Sequence, residues 1–175
     1  MKRIELTMQF ATPENFKRFG SLIGEANLPD PTFTDPAFNW YECIANINYN
    51  ASDVKYGGLE IGFVQASPGE NKQNQLERHT KTFEIIAPLS TNHLESAPGM
   101  GLVLAIGEAD REEDFAAFIL PHGTAAMLHP GIWHLAPKVK QGTAGALIIY
   151  AAGTGQNDKE LITLANRGFE VNIQW

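Results

Sequence analysis

Apolar residues along the chain recur in short runs separated by clusters of Gly, Pro, Asn and Asp, which predicts strands joined by turns. The runs cover 40–47, 59–65, 82–87, 101–106, 115–120, 125–128 and 144–150. No crossover helix separates them, so a doubly wound parallel sheet is disfavoured and an all-β sandwich or barrel is expected. Residues 3–10 read as a short strand-like start. Thr12-Pro13-Glu14-Asn15 then has the cap, the proline and the acidic residue of a helix start. Phe16, Phe19, Leu22 and Ile23 follow at helical spacing, predicting a helix to about Glu25.

The segment 27–39 holds Pro29, Pro31 and Pro36 and is expected to be an ordered loop or arm without regular structure. A second short helix is expected over 158–166, ended by Gly168. Internal repeats, low-complexity tracts and linkers are absent from the sequence. One domain over 1–175 is therefore expected, with a core barrel over about 40–152 and a helix and arm over 12–39.

Charge narrows the range of partners. The chain has 175 residues, with 13 Lys and Arg against 20 Asp and Glu and a net charge of −7. Without a basic cluster it is expected to bind no nucleic acid, because phosphate contacts need grouped cations. A small ligand is easier to reconcile with this balance. Cys43 is the lone cysteine, which excludes an intramolecular disulfide and a Cys-rich zinc site and fits a reducing compartment. Lys2 and Arg3 are followed by Glu5 and Gln9, so no secretory leader is expected. The longest apolar run, 144–152, is half the length of a membrane span, and a cytoplasmic protein without membrane association is expected. The charge run 107–114 reads as a solvated hairpin tip.

Two stretches carry candidate chemistry. In Glu77-Arg78-His79-Thr80-Lys81-Thr82-Phe83-Glu84, strand alternation puts Glu77, His79 and Lys81 on one face and Arg78 on the other. Glu84 arrives from beyond a bend or from the next strand. The second stretch is His129-Pro130-Gly131-Ile132-Trp133-His134, a turn followed by an aromatic and a histidine.

In this order the two stretches resemble the paired motifs of the cupin superfamily: His-x-His, three or four residues, then Glu; and later a Pro-x-Gly-type turn followed by His. Glu77 stands at the first His, His79 matches the second, Glu84 matches the carboxylate, and His134 matches the His of the second motif. Reading outwards, the chain is similar to the ureidoglycolate lyase family. Leu76-Glu77-Arg78-His79, the apolar run to Pro88, the 101–107 strand, Phe118, Ile119 and Trp133-His134 carry that resemblance. So does the opening segment with Phe16, Phe19-Gly20, Leu22 and Ile23. The similarity covers roughly 12–152 and is strongest over 76–134.

The resemblance implies a cupin (RmlC-like) β-barrel or jelly roll with a short helix at each end, usually a homodimer. It also implies a carbon–nitrogen lyase of the amidine-lyase type. Such an enzyme splits ureidoglycolate into glyoxylate and urea in purine and allantoin nitrogen salvage. In two places the chain departs from the family: Leu135 stands where a second His commonly follows Trp-His, and Glu84 stands where relatives carry Gln.

On this reading His79, Glu84 and His134, with Glu77 as a fourth, are candidate ligands of one divalent transition metal. Two imidazoles with carboxylates suit Ni, Zn, Mn or Fe better than Mg or Ca. No organic cofactor is expected. His79 and His134 are candidates for proton transfer. Arg78 or Lys81 would pair with the carboxylate of a small anionic hydroxy acid, with Lys81 favoured by strand alternation. Trp133 would line the substrate pocket or the core.

Each assignment has a plainer alternative. A strand histidine is commonly structural, and Glu77 suits a surface ion pair. Glu84, between Phe83 and Ile85, would be costly to bury unless paired. His129, His93 and His122 lie in turn or loop contexts, and Tyr41, Phe63 and Tyr150 are expected to pack the barrel. Two other functions fit the same residues: a metal-dependent cupin enzyme such as a sugar isomerase or dioxygenase, and a non-catalytic small-ligand sensor. A homodimer is expected, with the Pro-rich arm as an element to exchange between copies.

Overall fold

A computed structural model of the protein describes residues 1–24, 30–36, 38–40, 58–89, 99–121, 123–151 and 157–175. The chain begins with β1 (Lys2–Thr7), β2 (Gln9–Phe10), α1 (Pro13–Phe16), β3 (Gly20–Gly24), β4 (Phe33–Asp35) and β5 (Phe38–Trp40). β6 (Leu59–Ala66), β7 (Lys72–Gln73), β8 (Gln75–His79), β9 (Glu84–Leu89) and β10 (Met100–Ala105) come next. The last five strands are β11 (Phe115–Leu120), β12 (Thr124–Leu128), β13 (Ala144–Ala151), β14 (Lys159–Thr163) and β15 (Phe169–Gln174). The fold is all-β, as the alternation predicts.

The largest sheet has the order β3-β12-β9-β13-β6, and every pairing in it is antiparallel. β10 and β11 form a hairpin, β8 pairs with β14, and β15 lies between β1 and β7. Two phenylalanines near the N-terminus fill the main core. Phe16 and Phe19 meet Phe118 with ring centroids 5.1 and 5.4 Å apart, in edge-to-face arrangements. Leu102, Leu104, Leu120, Ile86 and Leu128 complete that layer.

The expected helix over 12–25 is reduced to one turn. Thr12 caps it as predicted, accepting from the Asn15 amide at 3.3 Å, with the Asn15 side chain returning to the Thr12 amide at 2.8 Å. After Phe16 the chain becomes β3, paired with β12 from Gly20↔Leu128 to Gly24↔Thr124. Phe16, Phe19 and Leu22 are buried, as their spacing required, but by a turn and a strand.

At the other end, most of the expected 158–166 helix is β14, held by β8 over five register positions. A 3-10 turn over Leu164–Arg167 follows, and Gly168, at φ 83°, ends it in the left-handed region that glycine tolerates. The Pro-rich segment also differs from expectation, since β4 and β5 pair across Pro36. β15 lies beyond the strand runs expected from the sequence, and it runs parallel to β1 from Lys2↔Phe169 to Thr7↔Gln174. Outside 40–152, β2, β3 and β14 therefore pair directly with strands of the expected barrel.

Phe63 does not pack the interior. It stands with Leu59 and Ile61 on the outward face of the edge strand β6 and is 63% exposed. The charged 107–114 segment is a turn as expected, but Asp114 is buried and clasped by Arg111 Nη2 at 2.8 Å. No helix among the described residues is long and apolar enough to cross a membrane.

Candidate functional site

Strand pairing brings the two chemical stretches together. Glu77 and His134 form a reciprocal backbone bridge, with Glu77 N donating to His134 O at 2.6 Å and His134 N donating to Glu77 O at 2.8 Å. Directly paired antiparallel residues project to the same face, so their side chains meet. His79 lies two residues beyond Glu77 and shares that face, and its carbonyl accepts from Gly131 N at 2.7 Å. The chain then bends at 80–83 and re-enters as β9, which begins at Glu84. Asp158 fixes the bend: its carboxylate accepts from Thr80 Oγ1 at 2.8 Å and from the Lys81 amide at 2.6 Å.

Glu84 sits between the two imidazoles. Its Oε2 lies 3.2 Å from His134 Nε2 and 3.4 Å from His79 Nε2, and all three residues are buried. Burial alone would push the Glu84 carboxyl up. The contacts with His134 and His79 outweigh it and lower the group to about 2. Burial likewise pulls His134 down, but Glu84, the Ile132 carbonyl and Glu77 together leave it raised.

The environment of His134 fits a metal ligand. Its Nδ1 lies 2.9 Å from the Ile132 carbonyl, which can only accept, so in the neutral ring the proton belongs on Nδ1 and Nε2 keeps its lone pair. His134 Nε2 and His79 Nδ1 are buried without an aligned hydrogen-bond partner. Orphaned polar atoms of this kind are rare unless a metal or water satisfies them. Donor atoms of Glu77, His79 and His134 also lie within 4.8 Å of one another. The four candidates Glu77, His79, Glu84 and His134 therefore form one cluster of two nitrogens and two carboxylates, a donor set suited to a divalent transition metal.

The cluster forms one side of a cavity of about 210 Å3, lined also by Val64, Ala136, Ile148, Tyr150 and Lys159. Tyr150 lies nearly parallel to the His79 ring, at 9° and 6.4 Å between centroids. It lines the cavity, where the sequence reading expected a barrel-packing residue. Lys159 was missed altogether, because 158–166 reads as helix. It is paired in register with His79, and its Nζ reaches diagonally to Glu77 Oε2 at 2.7 Å.

The two cations expected at the site are elsewhere. Lys81 is exposed in the bend and does not line the cavity, since the turn interrupts the alternation that placed it beside His79. Arg78 faces away as its strand position requires. Its guanidinium lies 4.3 Å above the Trp133 ring and bonds Glu160 at 2.7 Å. Trp133 is buried, and its Nε1 donates to Gly107 O at 2.9 Å, so it serves the core rather than the pocket. His129 is exposed, while His93, His122 and Tyr41 lie outside the described residues.

The family model described as ureidoglycolate lyase matches residues 3–170. A search of the curated proteins returned no match. Solved structures with a similar course include an oxalate oxidase in complex with glycolate, 18% identical with a TM-score of 0.42. That match covers 61% of this chain and 46% of the oxalate oxidase chain. The sugar 3,4-ketoisomerase QdtA from Thermoanaerobacterium thermosaccharolyticum, in complex with TDP, is 12% identical with a TM-score of 0.43, over 80% of this chain and 85% of its own. A dTDP-4-dehydrorhamnose 3,5-epimerase from Elizabethkingia anophelis is 15% identical with a TM-score of 0.42, over 81% and 79%.

Proposed function

The chain belongs to the ureidoglycolate lyase family, and from that premise we propose that it cleaves ureidoglycolate to glyoxylate and urea, as a step of purine-nitrogen breakdown. The observation that carries the reading is the convergence of both motifs on one buried His79–Glu84–His134 cluster beside a small cavity.

His79, Glu84 and His134 would hold a divalent transition metal, and Glu77 is near enough to join them. Such an ion polarises a bound oxygen and lowers the pKa of a hydroxyl. The remaining chemistry belongs to the chain's own groups. Ureidoglycolate carries its hydroxyl and its ureido nitrogen on the same carbon. Elimination removes the hydroxyl proton, forms the C=O bond from that oxygen's electrons, breaks the C–N bond and delivers a proton to the departing nitrogen. Because the oxygen and nitrogen are geminal, one carboxylate can take the proton from the first and return it to the second. Glu77 stands at the more exposed edge of the cluster and is the group we assign to that relay. Val64, Ala136 and Ile148 supply an apolar wall, which limits competing water.

Glyoxylate release from racemic ureidoglycolate by the purified protein, before and after chelation, tests the proposal. Release that disappears in His79→Ala and Glu84→Gln is expected. Absence of release from folded, metal-replete protein would refute it. Glu84, the general cupin carboxylate, favours as the second reading a metal-dependent cupin enzyme acting on another small hydroxy acid or sugar.

A further inference from the structure

We propose that Lys159 anchors the substrate's carboxylate, and that its ion pair with Glu77 sets the pocket to accept a single negative charge. This rests on the metal-dependent reading above and adds the residue that selects the substrate class. Lys159 is the one lysine or arginine among the described residues that line the cavity. Its side chain is 34% exposed, with one face turned to the site. Its partner at the site is the Glu77 carboxylate at 2.7 Å. An ammonium has three donors, so an incoming carboxylate can share Lys159 without displacing Glu77.

Charge decides what the cavity will take. The lining carboxylates Glu77 and Glu84 exceed the lone ammonium by one negative charge. Glu60, hydrogen-bonded by Tyr150, is not among the lining residues and adds no favourable charge for an anion. A divalent cation in the His–Glu cluster reverses the balance to one positive charge. One carboxylate then neutralises the site, and a second would leave it negative. The cavity, about 210 Å3, is smaller than sites for drug-sized ligands, which also suits a short hydroxy acid.

The test uses unreactive probes. Calorimetric titration of Mn(II)-loaded protein with glycolate, glycolamide and the dicarboxylate tartronate reads binding without turnover. Wild-type protein is expected to bind glycolate roughly ten- to a hundredfold more tightly than glycolamide, the worth of one charge-assisted contact, and more tightly than tartronate. Lys159→Met should lose that preference while retaining Mn(II) with undiminished affinity, and Lys159→Arg should restore most of it. Glycolate binding by Lys159→Met as tight as by wild type, at equal metal content, overturns the inference. So does tartronate binding tighter than glycolate, or a protein that takes up no divalent metal. If glycolate selectivity depends on Lys159 but no glyoxylate is released from ureidoglycolate, the anchor stands and the lyase reading falls. If ureidoglycolate turns over in Lys159→Met with unchanged KM, the lyase reading stands and the anchor falls.

Discussion

Glu84 Oε2 lies 3.2 Å from His134 Nε2 although the two residues come from different strand systems, Glu84 from the start of β9 and His134 from the bridge to Glu77. β8 joins them: it carries Glu77 opposite His134 and leads through the bend at Asp158 into β9. A charged pair this buried adds little to stability alone, since desolvation cancels much of the attraction. Its geometry suits two ligands of one ion, as proposed above.

Glu84→Gln keeps the size of the side chain and removes its charge. At neutral pH the variant should lose at least about tenfold in affinity for Mn(II) or Ni(II), because a neutral amide oxygen is a weaker ligand than a carboxylate. Competitive titration against a chromophoric chelator reads the change. Unchanged affinity would remove Glu84 from the ligand set.

The metal-free protein should have a stability window set by the same pair. Glu84 is lowered from 4.5 to about 2, so its contribution is complete above about 4.5 and is lost as pH falls toward 2. His134 is raised above 6.5, so its contribution is complete below about 6.5 and is lost as pH rises through the folded value. Urea unfolding of chelated wild-type and Glu84→Gln protein should therefore differ most between pH 4.5 and 6.5. A difference that stays constant from about pH 3 to about pH 9 would contradict the pairing.

Arg78→Met separates structure from chemistry. The guanidinium over Trp133 and its bond to Glu160 place Arg78 in the wall behind the site. The variant should lose about 1 kcal/mol of stability and leave KM for ureidoglycolate unchanged. A raised KM in protein of near-normal stability would return Arg78 to the substrate.

Gly20→Ala tests strand against helix by the sign of its effect. In the helix that local spacing predicts, alanine would stabilise by about 1 kcal/mol. In β3 a methyl group at this position runs into the Met127 carbonyl oxygen on β12, a backbone atom that cannot turn aside. A loss of about 2 kcal/mol or more is expected, seen as a lower unfolding midpoint.

The legible parts of the fold are those in which one strand contains its own pattern. β6, β10, β11, β12 and β13 lie within a residue or two of their predicted runs, because each is an apolar stretch bounded by turn residues. β15 had its own signal: in the sequence Phe169, Val171 and Ile173 alternate with Glu170, Asn172 and Gln174, and that regularity would have found it, although Asn172 is buried as well. β3 and β14 were misread for a different reason. Phe16, Phe19 and Leu22 satisfy helical spacing and are buried, but a pattern of burial does not reveal whether a turn and a strand can produce it. Lys159 to Thr163 suits either state locally, and β8 supplies the partner that makes it a strand.

By itself, then, the sequence determined the chemistry available and the faces on which it lies: alternation put Glu77 and His79 together, set Arg78 opposite, and ordered the two motifs so that Glu84 and His134 were candidates to meet. Tertiary structure decided which cation joins them. Alternation relates a residue only to its own strand, and it ends at the first bend, which is why Lys81 falls outside the site. Lys159 enters because β14 pairs with β8 in one register, which places it opposite His79 and within reach of Glu77. Register between distant strands is fixed by the packing of both faces at once, and that information is spread over the whole chain.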